Sequence, residues 1–166
     1  RGGEMIIDLN VPLKTSKKYD IVFDGGTMEH CFNIGQAIQN IVELTELNGY
    51  VLHANPLQMI NHGFYNFSPT FYWDFYNQNG HKILDLKAQV SNDSANPYDM
   101  AFQPLIKIDP INRVKLTRSE AGIYCLAQKL NDNAFIYPTQ SKYAKYKKAS
   151  YEGLRKNLLN PTGAQT

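Results

Sequence analysis

Four histidines are the side chains of this sequence best suited to acid–base chemistry, because imidazole gains and loses a proton near neutral pH. His30, His53 and His62 each lie near the end of a short apolar run that is typical of a strand. Glu29 precedes His30 and could orient its ring, so we predict catalytic roles for both; the alternative is a polar approach to a helix. His81 begins a later apolar run, which favours a structural role.

The segment around His62 is rich in aromatic and amide side chains, including Tyr65 and Asn66. Aromatic rings stack on a sugar or another ring, and imidazole and amide groups hydrogen-bond to hydroxyls. We therefore predict a catalytic role for His62 and substrate-binding roles for His53, Tyr65 and Asn66. The alternative interpretation is a packed loop that covers the core.

Two short strands and the helix between them must position these residues. Residues 19–24 are mainly β-branched and aromatic and run into Gly25-Gly26-Thr27, which predicts a buried strand and a tight turn. Apolar residues at helical spacing predict a helix over residues 33–47, and residues 50–55 predict a second strand. A strand, a helix and a strand within about 37 residues match the size of a βαβ unit, which implies a parallel sheet.

The rest of the chain predicts one more helix and two more strands. Ser68 and Pro69 are a favourable N-cap and first-turn residue, and aromatic residues then recur at the spacing of a helical core face. These are Phe71, Tyr72, Phe75 and Tyr76, to which we assign no chemistry. Residues 81–90 and 122–130 predict strands on either side of an irregular insertion at residues 91–120. Residues 140–159 are basic and predict a solvated helix.

Composition and charge exclude several classes of protein. Seventeen basic and fifteen acidic side chains leave a formal net charge of +2, which gives no reason to expect a nucleic-acid or membrane partner. No apolar run approaches the ~18 residues of a membrane span, and no signal-peptide pattern opens the chain. Cys31 and Cys125 lie far apart and in no metal-ligand spacing, so we expect reduced thiols and a cytoplasmic location.

Three segments of the sequence resemble class I S-adenosylmethionine-dependent methyltransferases. YDIVFDGGTMEH at residues 19–30, followed by a helix and by LNGYVLH at residues 47–53, is similar to that family's fourth-strand to fifth-strand region, with one glycine where the family has two. HGFYNFSP at residues 62–69 resembles a segment of methyltransferases from bacterial surface-polysaccharide and sugar-modifying loci. CLAQK at residues 125–129 resembles the family's final antiparallel strand.

The resemblance implies an α/β fold with a Rossmann-like class I methyltransferase sheet, mostly parallel with an antiparallel final strand. Residues 1–130 would form part of this domain, and residues 131–166 a basic, helical C-terminal extension. The family's first strand and glycine-rich cofactor loop have no counterpart, so we interpret the chain as the C-terminal part of the domain with its N-terminal strands missing. On this interpretation the chain alone binds cofactor weakly or not at all, and an exposed strand edge favours homo-oligomers.

The resemblance also implies the cofactor, S-adenosylmethionine, and the residues that meet it. Asp24, Gly25, Gly26 and Thr27 follow the fourth strand, where the backbone would approach the cofactor, although a plain turn has the same sequence. Residues 5–10 resemble the third strand, which gives Asp8 a role at the adenine, although an aspartate in a surface turn is the alternative. His30 would face the methyl group and take a proton from an acceptor hydroxyl. We assign no metal ligand.

The expected function is therefore methyl transfer to a sugar or other small-molecule acceptor in polysaccharide biosynthesis, as part of a longer enzyme. A non-catalytic methyltransferase-like fragment or interaction module is the alternative. Another Rossmann-like nucleotide-binding protein is a third possibility, but neither its glycine fingerprint nor a Walker loop is present.

Overall fold

Five strands and two helices form within residues 2–91, 104–113, 115 and 120–146, which are those that this computed structural model describes. In chain order they are β1 (Tyr19–Gly25), α1 (Ile34–Glu43), β2 (Thr45–Gln58), α2 (Pro69–Gln78), β3 (Lys82–Val90), β4 (Ile106–Lys107) and β5 (Ala121–Gln128). Short 3₁₀ helices occupy Met28–His30 and Ser141–Tyr146. The predicted strand–helix–strand unit near the N-terminus is thus present.

The strands form one mixed sheet in the order β1-β2-β5-β3-β4. β1 and β2 are parallel, whereas β5 runs antiparallel to both β2 and β3, and β4 runs antiparallel to β3. The α/β class and the antiparallel final strand agree with prediction. The description of the sheet as mostly parallel is wrong for this chain, because β5 inserts between two strands of the same direction and makes both of their contacts antiparallel.

The third strand expected at residues 5–10 does not form. Within the described residues no strand lies beside this segment, which runs as coil into a turn at residues 9–10. Its backbone is held instead by the buried side chain of Asn40 on α1. The Asn40 amide donates to Leu9 O and Val11 O at 3.0 and 2.9 Å, and its oxygen accepts from Leu13 N. A side chain therefore supplies the hydrogen bonds that a neighbouring strand would have made.

Helix α1 begins as predicted and ends earlier, at Glu43 instead of Leu47. The Asn33 side chain caps its start by accepting from Gln36 N. At its end, Tyr19 N donates to Leu44 O, and the buried Lys129 ammonium donates to Thr45 O at 2.9 Å. These partners, which are remote in sequence, hold the chain after Leu44 in the sheet, where β2 begins at Thr45.

Both helices pack on one face of the sheet and form the hydrophobic core with it. The core side chains come from alternate positions of β2, β3 and β5, as the two-residue period of a strand requires. They include Val51, Leu86, Ala88, Ile123, Cys125 and Ala127, covered by Ala37, Ile38, Ile41, Tyr72, Phe75 and Tyr76. The aromatic residues of α2 are thus a core face, as predicted.

The opposite face of the sheet is apolar and exposed at the β1 end. Ile21 and Phe23 on β1 are 67% and 63% exposed, and their cross-strand partners Tyr50 and Leu52 on β2 are also exposed. β1 is an edge strand, paired on one side only within the described part of the chain. At the β1 edge, therefore, one face of the sheet is packed against the core and the other is exposed; we call the exposed one the open face.

Two predicted segments fall mainly outside the described residues. Of the insertion at residues 91–120, the described part contributes β4 and residues next to it. Of the basic helix at residues 140–159, the described part contains the 3₁₀ helix Ser141–Tyr146, and residues 147–166 lie beyond it. In the part of the chain that is described, no helix combines the length and apolarity needed to cross a bilayer.

Candidate functional site

The three predicted catalytic side chains meet at the carboxyl ends of the parallel pair. Glu29 and His30 lie in the 3₁₀ helix that follows β1, and His62 lies in the loop that follows β2. Parallel strands end at the same edge of a sheet, which is where α/β proteins bind ligands. Phe64 N donates to Glu29 O at 2.8 Å and ties the two loops together.

Close packing between the two loops depends on Gly63. A Cβ atom at this position would lie 2.9 Å from Glu29 O and 3.0 Å from Glu29 Cγ, so only glycine allows the approach. Tyr65 reinforces the contact by donating its hydroxyl to Phe32 O at 2.8 Å. The loop after β2 is thus fixed against the turn after β1 at several points.

Glu29, His30 and His62 form a compact group, which we call the trio. His62 Nε2 lies 3.4 Å and His30 Nε2 3.9 Å from Glu29 Oε1, and the two imidazole ring centres are 5.4 Å apart. The two imidazoles are about half exposed, whereas the Glu29 side chain is fully buried. Both rings therefore face solvent, with the Glu29 carboxyl group buried beneath them.

Glu29 is oriented by a hydrogen-bond chain from the core. Asn55 on β2 donates its amide to Glu29 Oε2 at 3.0 Å, and Tyr72 on α2 donates its hydroxyl to Asn55 Oδ1 at 2.6 Å. The second carboxylate oxygen, Oε1, is buried and has no hydrogen-bond partner; it is the one such side-chain atom in the described residues. Asn55 thus fixes one carboxylate oxygen, whereas the other makes no hydrogen bond.

A second buried chain joins Asp24, His53 and Tyr76. The three are linked by contacts of 2.8 Å from Asp24 Oδ2 to His53 Nδ1 and 2.6 Å from His53 Nε2 to Tyr76 OH. Burial opposes ionisation of Asp24, but hydrogen bonds from His53, Asn55 and the Met28 backbone outweigh it and lower the pKa of Asp24. Burial raises the pKa of the Tyr76 hydroxyl well above its usual value. A carboxylate only accepts, so His53 Nδ1 donates to Asp24, and His53 Nε2 is paired with the Tyr76 hydroxyl.

The predicted substrate-binding residues have unlike surroundings. His53 has no exposed surface and both of its ring nitrogens are engaged, so its position is a structural one that offers nothing to a ligand. Tyr65 is half-buried and its hydroxyl is used within the loop. Asn66 is exposed, accepts from Met59 N at 2.7 Å, and lines a cleft.

Most of the predicted cofactor residues are exposed beside the trio. Gly25, Gly26 and Thr27 are exposed at the end of β1, and Gly26 adopts a φ of +73°, which favours glycine. A Cβ atom on Gly26 would lie 3.4 Å from Glu29 Oε1, so this turn runs directly beside the buried carboxyl group.

The two aspartates predicted to meet the cofactor differ. Asp24 is 3% exposed and points into the core, where its Oδ1 accepts from Thr27 N and Met28 N, so its carboxyl group is used within the fold. Asp8 is exposed, and hydrogen bonds from the Asn10 backbone and side chain lower the pKa of its carboxyl. Asp8 remains available to a ligand.

A cleft of about 420 Å³ lies next to the loop after β2. Its lining is largely polar, with two cationic side chains contributed by Arg113 and Lys142. It also includes Gln58, Asn66, Ser68, Thr70, Asp109, Asn112 and Gln140. Hydroxyl and amide groups around a concave surface are suited to binding a polar small molecule.

Sequence reasoning missed Asn55, Tyr72 and Tyr76, which hold Glu29 and His53 from the core. Tyr72 and Tyr76 were interpreted as packing residues, and they do pack, but their hydroxyls also reach Asn55 and His53. The available signal was the presence of tyrosine at fully buried helical positions, because a buried hydroxyl requires a partner.

Comparison with known proteins identifies no relative: the chain matches no protein-family model, and no curated protein matches it.

Proposed function

We propose that this chain takes part in S-adenosylmethionine-dependent methyl transfer to a hydroxyl of a sugar or other small acceptor. The observation that carries the proposal is the convergence of Glu29, His30 and His62 at the carboxyl edge of the parallel pair. All three were predicted to be catalytic; Glu29 and His30 are adjacent in the sequence, and His62 lies 32 residues beyond His30. The parallel pair and the antiparallel β5 also agree with the methyltransferase-like motifs that fall on these strands.

The residues present fit the cofactor on one side. Gly25, Gly26 and Thr27 expose backbone at the end of β1, and the exposed Asp8 is the candidate for the adenine. When bound, S-adenosylmethionine supplies an electrophilic methyl group. Methyl transfer is an in-line displacement, so the protein's main contribution is to hold the acceptor oxygen in line with that group.

A hydroxyl acceptor must also lose a proton, and the trio can take it. The imidazoles of His30 and His62 are exposed to an incoming acceptor, and Glu29 stabilises the positive charge that an imidazole gains with a proton. Asn55 keeps the carboxylate in place. The nearby polar cleft, with Asn66 on its wall, is suited to the rest of a hydroxyl-rich acceptor.

The proposal is tested by a methylation assay on the protein in its longest natural form that contains these 166 residues. Isotope-labelled S-adenosylmethionine is offered with a panel of nucleotide sugars and oligosaccharides, and labelled product is measured. We expect transfer to at least one acceptor, and we expect His30→Asn and His62→Asn together to lower kcat by about 10² to 10⁴-fold, the usual loss with a general base. Ile60→Asn, which changes an exposed residue of the same loop, is the matched control.

Two results would contradict the proposal. One is the absence of transfer to every acceptor of the panel, which would favour a non-catalytic interaction module. The other is transfer that the double histidine variant leaves at the level of the Ile60→Asn control, since the trio would then have no part in the reaction.

A further inference from the structure

Glu29 Oε1 is a buried oxygen of the trio that makes no hydrogen bond. A fully buried carboxylate is costly unless its oxygens are hydrogen-bonded or paired with a positive charge. Glu29 Oε2 accepts from Asn55, whereas Oε1 faces the imidazoles, with His62 Nε2 at 3.4 Å and His30 Nε2 at 3.9 Å. A cation held between the three side chains would supply Oε1 with a positive charge.

The three side chains have the spacing of metal ligands. One ligand atom from each of Glu29, His30 and His62 lies within 4.8 Å of the other two. Ligand atoms on a tetrahedral zinc ion are about 3.4 Å apart, given bonds of about 2.1 Å. The Glu29 Oε1 to His62 Nε2 distance is 3.4 Å, the Glu29 Oε1 to His30 Nε2 distance is 3.9 Å, and both imidazoles are half exposed at the surface.

The donor types select the class of ion. Two imidazole nitrogens and one carboxylate oxygen suit zinc and other divalent transition metals, whereas magnesium and calcium prefer oxygen ligands alone. Three protein ligands also leave coordination positions open for water or a substrate oxygen. The hydrogen bonds from Tyr72 to Asn55 and from Asn55 to Glu29 provide the outer support that metal-ligating carboxylates usually have.

We propose that Glu29, His30 and His62 bind one divalent transition-metal ion of the zinc class at the carboxyl edge of the β1–β2 pair. Binding of the ion does not depend on the proposed methyl transfer. Its role in that reaction does: an acceptor hydroxyl bound at an open position would have a lowered pKa and lose its proton to solvent. The ion would then replace the imidazoles as the group that activates the acceptor.

The test is a direct titration of the metal-free chain with Zn²⁺, followed by calorimetry, and with Co²⁺, followed by its visible absorption. We expect one ion per chain. His30→Asn and His62→Asn should each weaken binding on the order of 10-fold or more, and Asn55→Ala should weaken it about 10 to 100-fold by loosening Glu29. Ile60→Asn should bind as the unmodified chain does. The histidine side chains are half exposed, so these variants are expected to fold, which far-ultraviolet circular dichroism checks.

The proposal is overturned if the unmodified chain shows no saturable binding of either ion, or if both histidine variants bind like the Ile60→Asn control. A chelator added to the methylation assay separates the two proposals. Zinc binding together with chelator-resistant methylation keeps the metal site and removes its role in the reaction. Methylation by a protein that binds no ion keeps the proposed function and removes the metal site.

Discussion

The side chain of His53 shows how a residue can belong to the neighbourhood of a site without meeting a ligand. It lies one strand over from Asp24, in direct register, and its ring is held between Asp24 and Tyr76. Asp24 in turn accepts hydrogen bonds from the backbone N–H groups of Thr27 and Met28, at the start of the 3₁₀ helix that carries Glu29. These contacts therefore fix the position of the trio relative to the core.

This chain of contacts makes Tyr76 a stability determinant. We expect Tyr76→Phe to lower the free energy of unfolding by about 1 to 3 kcal/mol, because it leaves His53 Nε2 buried without a partner. Chemical denaturation followed by circular dichroism measures the change. Tyr19→Phe, at a 45% exposed position, is the matched control and should lie within about 0.5 kcal/mol of the unmodified chain. Equal effects of the two substitutions would contradict the role given to the Tyr76 hydroxyl.

The trio and its support differ in how far the sequence could predict them. The sequence allowed the trio to be predicted, because each of its residues follows a recognisable strand and parallel strands end at the same edge of a sheet. The inward direction of Asp24 was not, because a strand of six or seven residues shows alternation too weakly to assign its faces when residues on both faces are apolar. Ile21 and Phe23 made the outer face of β1 look like a core face.

At the level of elements, one amide on α1 substitutes for a strand. Asn40 makes hydrogen bonds to Leu9, Val11 and Leu13 and so keeps the segment that contains Asp8 against the helix. Asn10 adds two contacts with the helix cap Asn33. The position of this segment next to the end of β1 thus depends on α1.

Removing that amide should release the segment. We expect Asn40→Ala to speed amide hydrogen exchange across residues 9–13 and to lower the free energy of unfolding by about 1 to 3 kcal/mol, since the carbonyls of Leu9 and Val11 lose a part-buried donor. Hydrogen exchange followed by mass spectrometry resolves the segment. Gln39→Ala removes an exposed amide from the same helix and serves as the control. Unchanged exchange at residues 9–13 in Asn40→Ala would show that other contacts hold the segment.

Element boundaries followed long-range contacts that local patterns do not contain. Hydrophobic periodicity predicted α1 through Leu47, but the helix ends at Glu43, and bonds from Tyr19 and Lys129 to the carbonyls of Leu44 and Thr45 hold the following chain in the sheet. Lys129 is about 84 residues from Thr45, so no local signal indicates this bond. By contrast, the start of α2 at Ser68-Pro69 was predictable, because capping is a local interaction.

At the scale of the whole molecule, the open face near β1 is an apolar surface beside an unpaired strand edge. Exposed edges of this kind pair with other chains, and apolar patches associate. Ile21 and Phe23 are both more than half exposed there. We therefore predict that this surface mediates self-association of the 166-residue chain.

Changing those two side chains should weaken the association. We expect the unmodified chain to form concentration-dependent oligomers and the double variant Ile21→Lys and Phe23→Lys to shift toward monomer, because charges on an edge strand oppose pairing. Sedimentation velocity over a range of protein concentrations measures this. Ile111→Lys, which places a lysine at another exposed apolar position, is the control. If the unmodified chain is monomeric at every concentration, the expected oligomer formation is contradicted.

The tie between the two loops, from Phe64 N to Glu29 O, also has a consequence for the order of folding. The trio draws on residues on both sides of the α1 crossover, so it can assemble only after the non-local pairing of β1 with β2 has closed. Contacts between residues far apart in the sequence form slowly, because closing the loop between them costs conformational entropy before the contacts stabilise it. We expect the trio to assemble late on the folding pathway and to come apart as soon as the edge strand detaches. The fraction of molecules in which the trio is assembled would then show whether β1 is still paired with β2.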